Sequence, residues 1–159
     1  MPLTIIDNPH VLLTHAVDEV ITGSGVDNDV PLEFTTTHHN IGGCTVNAAK
    51  SRITVPASGT YLCCSSLSGT VQTVATGDGI EMKFLVNGAN PFEANTYPFD
   101  TFGINSNDEF AFFITIPLIL TASDYVEVAL SNVGSQVSAT VNKGYFSVTK
   151  LHKLCQRLK

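Results

Sequence analysis

Residues 80–88 read Ile-Glu-Met-Lys-Phe-Leu-Val-Asn-Gly. Ile80, Met82, Phe84 and Val86 recur at every second position with Glu81 and Lys83 between them, the period of a strand that buries one face and exposes the other. The closing Asn87-Gly88 is the strongest short-range hairpin signal, because both central residues of that turn take positive φ. The same period extends outward from this stretch. Val126, Val128 and Leu130 alternate with Glu127, and Ile53 and Val55 alternate with Arg52 and Thr54. Further strand candidates are 33–39, 60–67, 110–116, 136–141 and 145–151. Breakers fall between them at 56–59, 77–79, 87–88, 105–108, 122–124 and 142–144. About eight to ten short strands at this spacing predict an all-β antiparallel sandwich or barrel.

Composition agrees with one such domain. The chain has 159 residues and a formal charge of −6, with 14% charged residues against the roughly 25% usual for soluble domains. A chain of about 150 residues buries roughly 68–70% of its unfolded surface, enough for a core without staples. The charge is unevenly placed. Residues 143–159 hold five basic side chains and no acid, whereas residues 1–142 hold three basic and fourteen acidic ones. An acidic body argues against nucleic-acid binding, and no apolar run approaches the roughly 20 residues of a membrane helix. The first seven residues lack the basic and apolar regions of a secretory signal, and no Asn-x-Ser/Thr acceptor occurs.

The ends divide from the middle. Residues 1–30 read as an extended N-terminal arm or a first strand, 31–151 as the sandwich domain, and 152–159 as a basic C-terminal tail. In that tail Leu151, Leu154, Cys155 and Leu158 form one apolar stripe at helical spacing, beside Lys150, Lys153, Arg157 and Lys159. So short a helix gains order only by docking.

Chemistry is hard to find. Nothing proposes a nucleophile with a base in reach, and Ser147-x-x-Lys150 falls on a strand, where the Ser-x-x-Lys motif does not operate. His38-His39 is the most ligand-like pair, yet neighbouring strand residues face opposite ways. Asp27-Asn28-Asp29 lacks the Gly and distal Glu of an EF-hand loop and reads as a solvated turn, with calcium left open. Asp18-Glu19 and Asp108-Glu109 have no paired-carboxylate spacing. Cys44, Cys63, Cys64 and Cys155 include no Cys-x-x-Cys pair and read as buried thiols, although a Cys44–Cys155 pairing stays open. No enzyme, cofactor or metal site is expected.

Four segments in order carry a likeness: Ser51-Arg-Ile-Thr-Val-Pro-Ala-Ser-Gly-Thr-Tyr-Leu62, Phe84-Leu-Val-Asn-Gly88, Leu118-Ile-Leu-Thr-Ala-Ser-Asp-Tyr-Val-Glu-Val128 and Tyr145-Phe-Ser-Val-Thr-Lys-Leu151. Over residues 33–151 the chain resembles the jelly roll of complement component 1q and tumour necrosis factor. In that family a Pro-x-x-Gly-x-Tyr turn is followed by a Val-Asn-Gly hairpin, an Ala-Gly-Asp-x-Val turn and a Phe-Ser-Gly strand. Ser123 stands where the family prefers Gly, Cys63 where an aromatic follows the Tyr, and Val148 where Gly follows Phe-Ser. The resemblance implies a compact homotrimer.

Similar folds occur in bacteriophage structural proteins. This setting gives the first expected function, a trimeric capsid decoration or cement knob on the virion surface, with the major capsid protein or another virion protein as partner. Its attachment residues would be Leu3, Ile5, Ile6, Val11 and Leu12 of the arm, or Lys150, Lys153, Arg157 and Lys159 of the tail. The alternative is a receptor-binding tip or head-fibre domain that recognises a host surface glycan or protein through apical loops at 87–102 and 105–109. Phe92, Tyr97, Phe99 and Phe102 then stack on sugars, or instead cap the sandwich or fill the trimer axis. A ligand of cell-surface receptors is the third reading, disfavoured by the absent signal.

Overall fold

The computed structural model describes residues 8–24, 29–74, 79–91, 107–133 and 136–151. Among them are eleven strands and no helix: β1 (His10–His15), β2 (Glu19–Ser24), β3 (Val30–Pro31), β4 (Thr36–Ile41), β5 (Thr45–Val46), β6 (Arg52–Thr54), β7 (Gly59–Val74), β8 (Gly79–Val86), β9 (Glu109–Leu120), β10 (Tyr125–Val133) and β11 (Gln136–Lys150). The first sheet runs β4-β1-β11-β7-β9, with β2 also paired to β11; the second runs β3-β10-β6-β5, with β8 also paired to β10. Every pairing is antiparallel. This is the antiparallel two-sheet sandwich that the period-two pattern predicts.

The two sheets close over one core. From β9 come Phe110, Phe112, Ile116, Leu118 and Leu120; from β10, Val126, Val128 and Leu130; from β7, Tyr61, Cys63, Leu67 and Val71. Phe146 of β11 lies between Phe34 and Phe84, with ring centroids 5.7 and 5.9 Å away, so aromatic contacts tie the two sheets together.

The turns follow their residues. At the β8 hairpin Asn87 and Gly88 have φ of 54° and 77°, and the amides of Val86 and Ala89 each donate to the other's carbonyl. Asn87 also accepts from the Tyr125 amide and donates to Asp124, which joins this hairpin to the turn before β10. The 56–59 turn delivers Tyr61 fully into the core, where its hydroxyl donates to the Ala57 carbonyl at 2.7 Å.

Four details depart from the sequence reading. The 142–144 breaker does not end a strand: β11 runs through it with a register shift between Val141 and Lys143, and Gly144 packs against Leu67. A bulge absorbs the extra residue that a local reading takes for a turn. The strand expected at 33–39 lies at Thr36–Ile41, because Phe34 turns into the core and the pairing with β1 starts at Thr36. Residues 1–30 contain two paired strands, β1 and β2, within their described part. Finally, β8 and β10 are buried on both faces: outward-pointing Lys83 and Glu127 are 7% and 3% exposed. Their charges are met by Asp29 at 2.7 Å and Arg52 at 3.1 Å, and that pairing makes burial tolerable.

Candidate self-association face

The first sheet presents its outer face through alternate residues of four strands. From β9 these are Glu109, Ala111, Phe113, Thr115, Pro117 and Ile119; from β7, Leu62, Cys64, Ser66 and Ser68; from β11, Lys143, Tyr145, Ser147 and Thr149; from β1, His10, Leu12 and Thr14. Register sets them in rows: Leu12, Ser147, Cys64 and Thr115 lie side by side, and so do Thr14, Tyr145, Ser66 and Phe113. Phe113 is 69% exposed and Ile119 89%. Burying either contributes roughly 1.5–3 kcal/mol.

Charge on this face is confined to one end. Lys143 and Glu109 both line an open cleft of ≈ 490 Å³ with Ser68, Gly69, Thr70 and Ala111. A second cleft of ≈ 420 Å³ on the other side of Lys143 is lined by Thr14, His15, Ser66 and Tyr145. The His15 ring itself turns to the inner side of the sheet, edge-on to Phe34, and is engaged there. Its Nδ1 sits 2.7 Å from the Glu33 carbonyl oxygen and its Nε2 3.3 Å from that of Val141, with a Glu19 carboxylate oxygen 3.7 Å from Nδ1. Burial pushes the Glu19 carboxyl above the usual range, opposed by His15 and by the Glu33 backbone.

The thiols divide between core and face. Cys44 and Cys63 are buried, Cys64 is half-buried on the outer face, and all three are free. Burial pushes Cys44 up to about 11; burial, and then neighbouring Cys64, push Cys63 up to about 12. No group of three or more His, Cys, Asp or Glu side chains among the described residues is placed to hold a metal ion. His38 and His39 nevertheless share a side, contrary to the alternation expected of them. A register irregularity between Leu12 and Leu13 lets His38 lie 2.8 Å from Thr14 Oγ1 while His39 stacks on His10, ring centroids 6.0 Å apart.

The expected attachment residues are scattered. Val11 is fully buried in the core, whereas Leu12 faces outward and is half-buried. Lys150 closes β11, its amide bonded to the Pro9 carbonyl and its Nζ 5.7 Å over the Tyr61 ring. Leu3, Ile5, Ile6, Lys153, Arg157 and Lys159 lie outside the described residues, as do Phe92, Tyr97, Phe99 and Phe102, Asp27 and the C-terminal apolar stripe beyond Leu151. Sequence reading did not single out Phe113 and Ile119. The available signals were the unbroken runs Phe110-Ala-Phe-Phe-Ile114 for Phe113 and Leu118-Ile-Leu120 for Ile119, which place apolar side chains on both faces of one antiparallel strand.

No protein-family model matches the chain, and no curated protein matches it. Among solved structures, that of Eiger TNF from S. frugiperda aligns with a TM-score of 0.55 and 14% identity, covering 95% of this chain and 98% of that one. At that identity the likeness shows the fold, a jelly roll of the tumour necrosis factor type.

Proposed function

We propose that this chain is a non-enzymatic structural knob, a homotrimer on a virion surface, whose copies bury the outer face of the first sheet against one another. The observation that carries the reading is a broad sheet face, free of charge except at one end, on which Phe113 and Ile119 stand exposed. Isolated exposed apolar residues are ordinary, but a contiguous apolar patch marks an interaction surface. Here Phe113 and Ile119 share the face with Pro117, Leu62, Cys64, Tyr145 and Leu12, diagonal neighbours interspersed only with the uncharged Thr115, Ser66 and Ser147. Three-fold closure and the virion setting come from the family resemblance in the sequence. Attachment to a capsid then falls to the terminal segments at either end of the chain.

Light scattering at micromolar concentration tests the assembly. The expected native mass is three times the 17.0 kDa chain. The double variant Phe113→Glu/Ile119→Glu is expected to keep its β-sheet circular dichroism and run as a monomer. A native chain that is monomeric, or a double variant that still assembles, overturns the reading. Co-sedimentation with particles stripped of surface proteins tests the virion role, and failure to bind them removes it.

A second reading is favoured by the likeness to Eiger TNF: a ligand of cell-surface receptors. Saturable binding of the fluorescent protein to cells, unaffected by competing glycans, separates this reading from both the capsid knob and the glycan-binding tip.

A further inference from the structure

Three imidazoles stand together on one edge of the same face. His10 lies on β1, and His38 and His39 on the edge strand β4. His39 is in register with outward-facing Leu12, and His10 with Ile41, which is 48% exposed. His39 stacks on His10 at 6.0 Å with 21° between the planes. His38 joins them because the register irregularity at Leu12/Leu13 turns it to Thr14 on this side. The trio therefore interleaves with Leu12 and Ile41, where the apolar face continues onto β4.

We infer that His10, His38 and His39 make self-association pH-dependent: the copies hold together while these imidazoles are neutral and separate when they take up protons. This rests on the proposed assembly through the outer face. Histidine is the side chain whose ordinary charge change falls between pH 5 and 8. Two features make charging unfavourable in an assembled face. A cation pressed against a partner loses water, and two of the three cations would lie face to face in the His10–His39 stack, with the third beside Thr14 on the same side. A carboxylate beside them would relieve this, but the outward residues paired in register with β1 here are uncharged, and the charge that lines the cleft at Thr14 is the cation Lys143. On β11, Thr149 stands opposite His10, Ser147 opposite Leu12 and Tyr145 opposite Thr14. On β4 the outward neighbours are Thr36 and Ile41. Glu19 and the Glu33 backbone engage His15, which points from β1 to the opposite side of the sheet, and Lys150 Nζ lies over the Tyr61 ring.

The test is light scattering of the full chain at pH 7.5 and pH 5.0 with EDTA present, on the native protein and on His10→Gln/His38→Gln/His39→Gln, with circular dichroism at each pH. The native protein is expected to be assembled at pH 7.5 and to dissociate at pH 5.0 with its sheet spectrum intact, its apparent Kd raised about tenfold or more. The triple variant is expected to stay assembled at pH 5.0; if it does not fold, His39→Gln alone is expected to weaken the pH effect. A native protein that remains assembled at pH 5.0, or folded variants that dissociate just as it does, overturns the inference and leaves the assembly reading standing. A monomer at pH 7.5 overturns both.

Discussion

At Ser123 the backbone adopts φ of 76°, a left-handed conformation that costs a side-chain-bearing residue about 1–2 kcal/mol. The turn is held regardless, by the Ser123 amide on the Val55 carbonyl and the Thr121 amide on Asp124 at 2.7 Å. The Asn87 side-chain amide, and then the Thr121 amide, hold the Asp124 carboxyl below its usual range. This explains in backbone terms why the resembling family prefers Gly at this place. Ser123→Gly is expected to stabilise the fold by about 0.5–1 kcal/mol, part of the relief being offset by the freer unfolded chain. A urea midpoint that falls on this substitution would contradict the account. The buried thiols carry a second prediction. With Cys63 at about 12 and Cys44 at about 11, almost no thiolate exists at pH 8, so alkylation followed by peptide mapping should leave both unmodified in the folded protein. A raised folded-state value also gives stability a sign. The contribution is whole below about pH 9 and declines as pH climbs towards 11 and 12, so urea midpoints should fall on the alkaline side.

Among the elements, the long strand β7 begins at the corner that Tyr61 pins. The hydroxyl reaches out of the core to the Ala57 carbonyl while the ring stays fully buried, so Tyr61→Phe removes one bond and little packing. A loss of about 1 kcal/mol in urea unfolding is expected, with the spectrum unchanged. A loss near zero would mean that water serves Ala57 equally well. This corner, the Asn87-Gly88 hairpin and the alternation in β8 and β10 were legible in the sequence because each depends on a few neighbouring residues. The irregularities were not. Whether residues 142–144 end a strand or bulge within one depends on how β11 pairs with β7, and whether His38 and His39 share a side depends on how β4 pairs with β1. Those partners are far away in the chain. Similarly, the alternation around Lys83 and Glu127 reads as a wet face, and only the placement of Asp29 and Arg52 lets it be a dry one.

Across the whole molecule the two sheets differ in how complete their outer faces are. The second sheet meets its own charges, with Lys83 on Asp29, and Arg52 on Glu127 while its guanidinium lies 4.2 Å from the Tyr125 ring centroid. The first sheet has few charges to meet and leaves Phe113 and Ile119 in water. On the proposed assembly, the unfinished face of the first sheet is the one that a second copy covers. Cys64 provides a probe of that covering, because it sits mid-face, between Ser147 of β11 and Thr115 of β9, and is half-buried in the single chain. Assembly through this face removes the remaining access to its sulfur. Alkylation of Cys64, resolved by peptide mapping, should therefore be at least tenfold slower in the native protein at micromolar concentration than in monomeric Phe113→Glu/Ile119→Glu, whose substitutions leave the thiol in place. Dilution of the native protein should bring the two rates together. Equal rates in an assembled native protein would show that the copies meet elsewhere, and the exposed apolar face would then need another occupant.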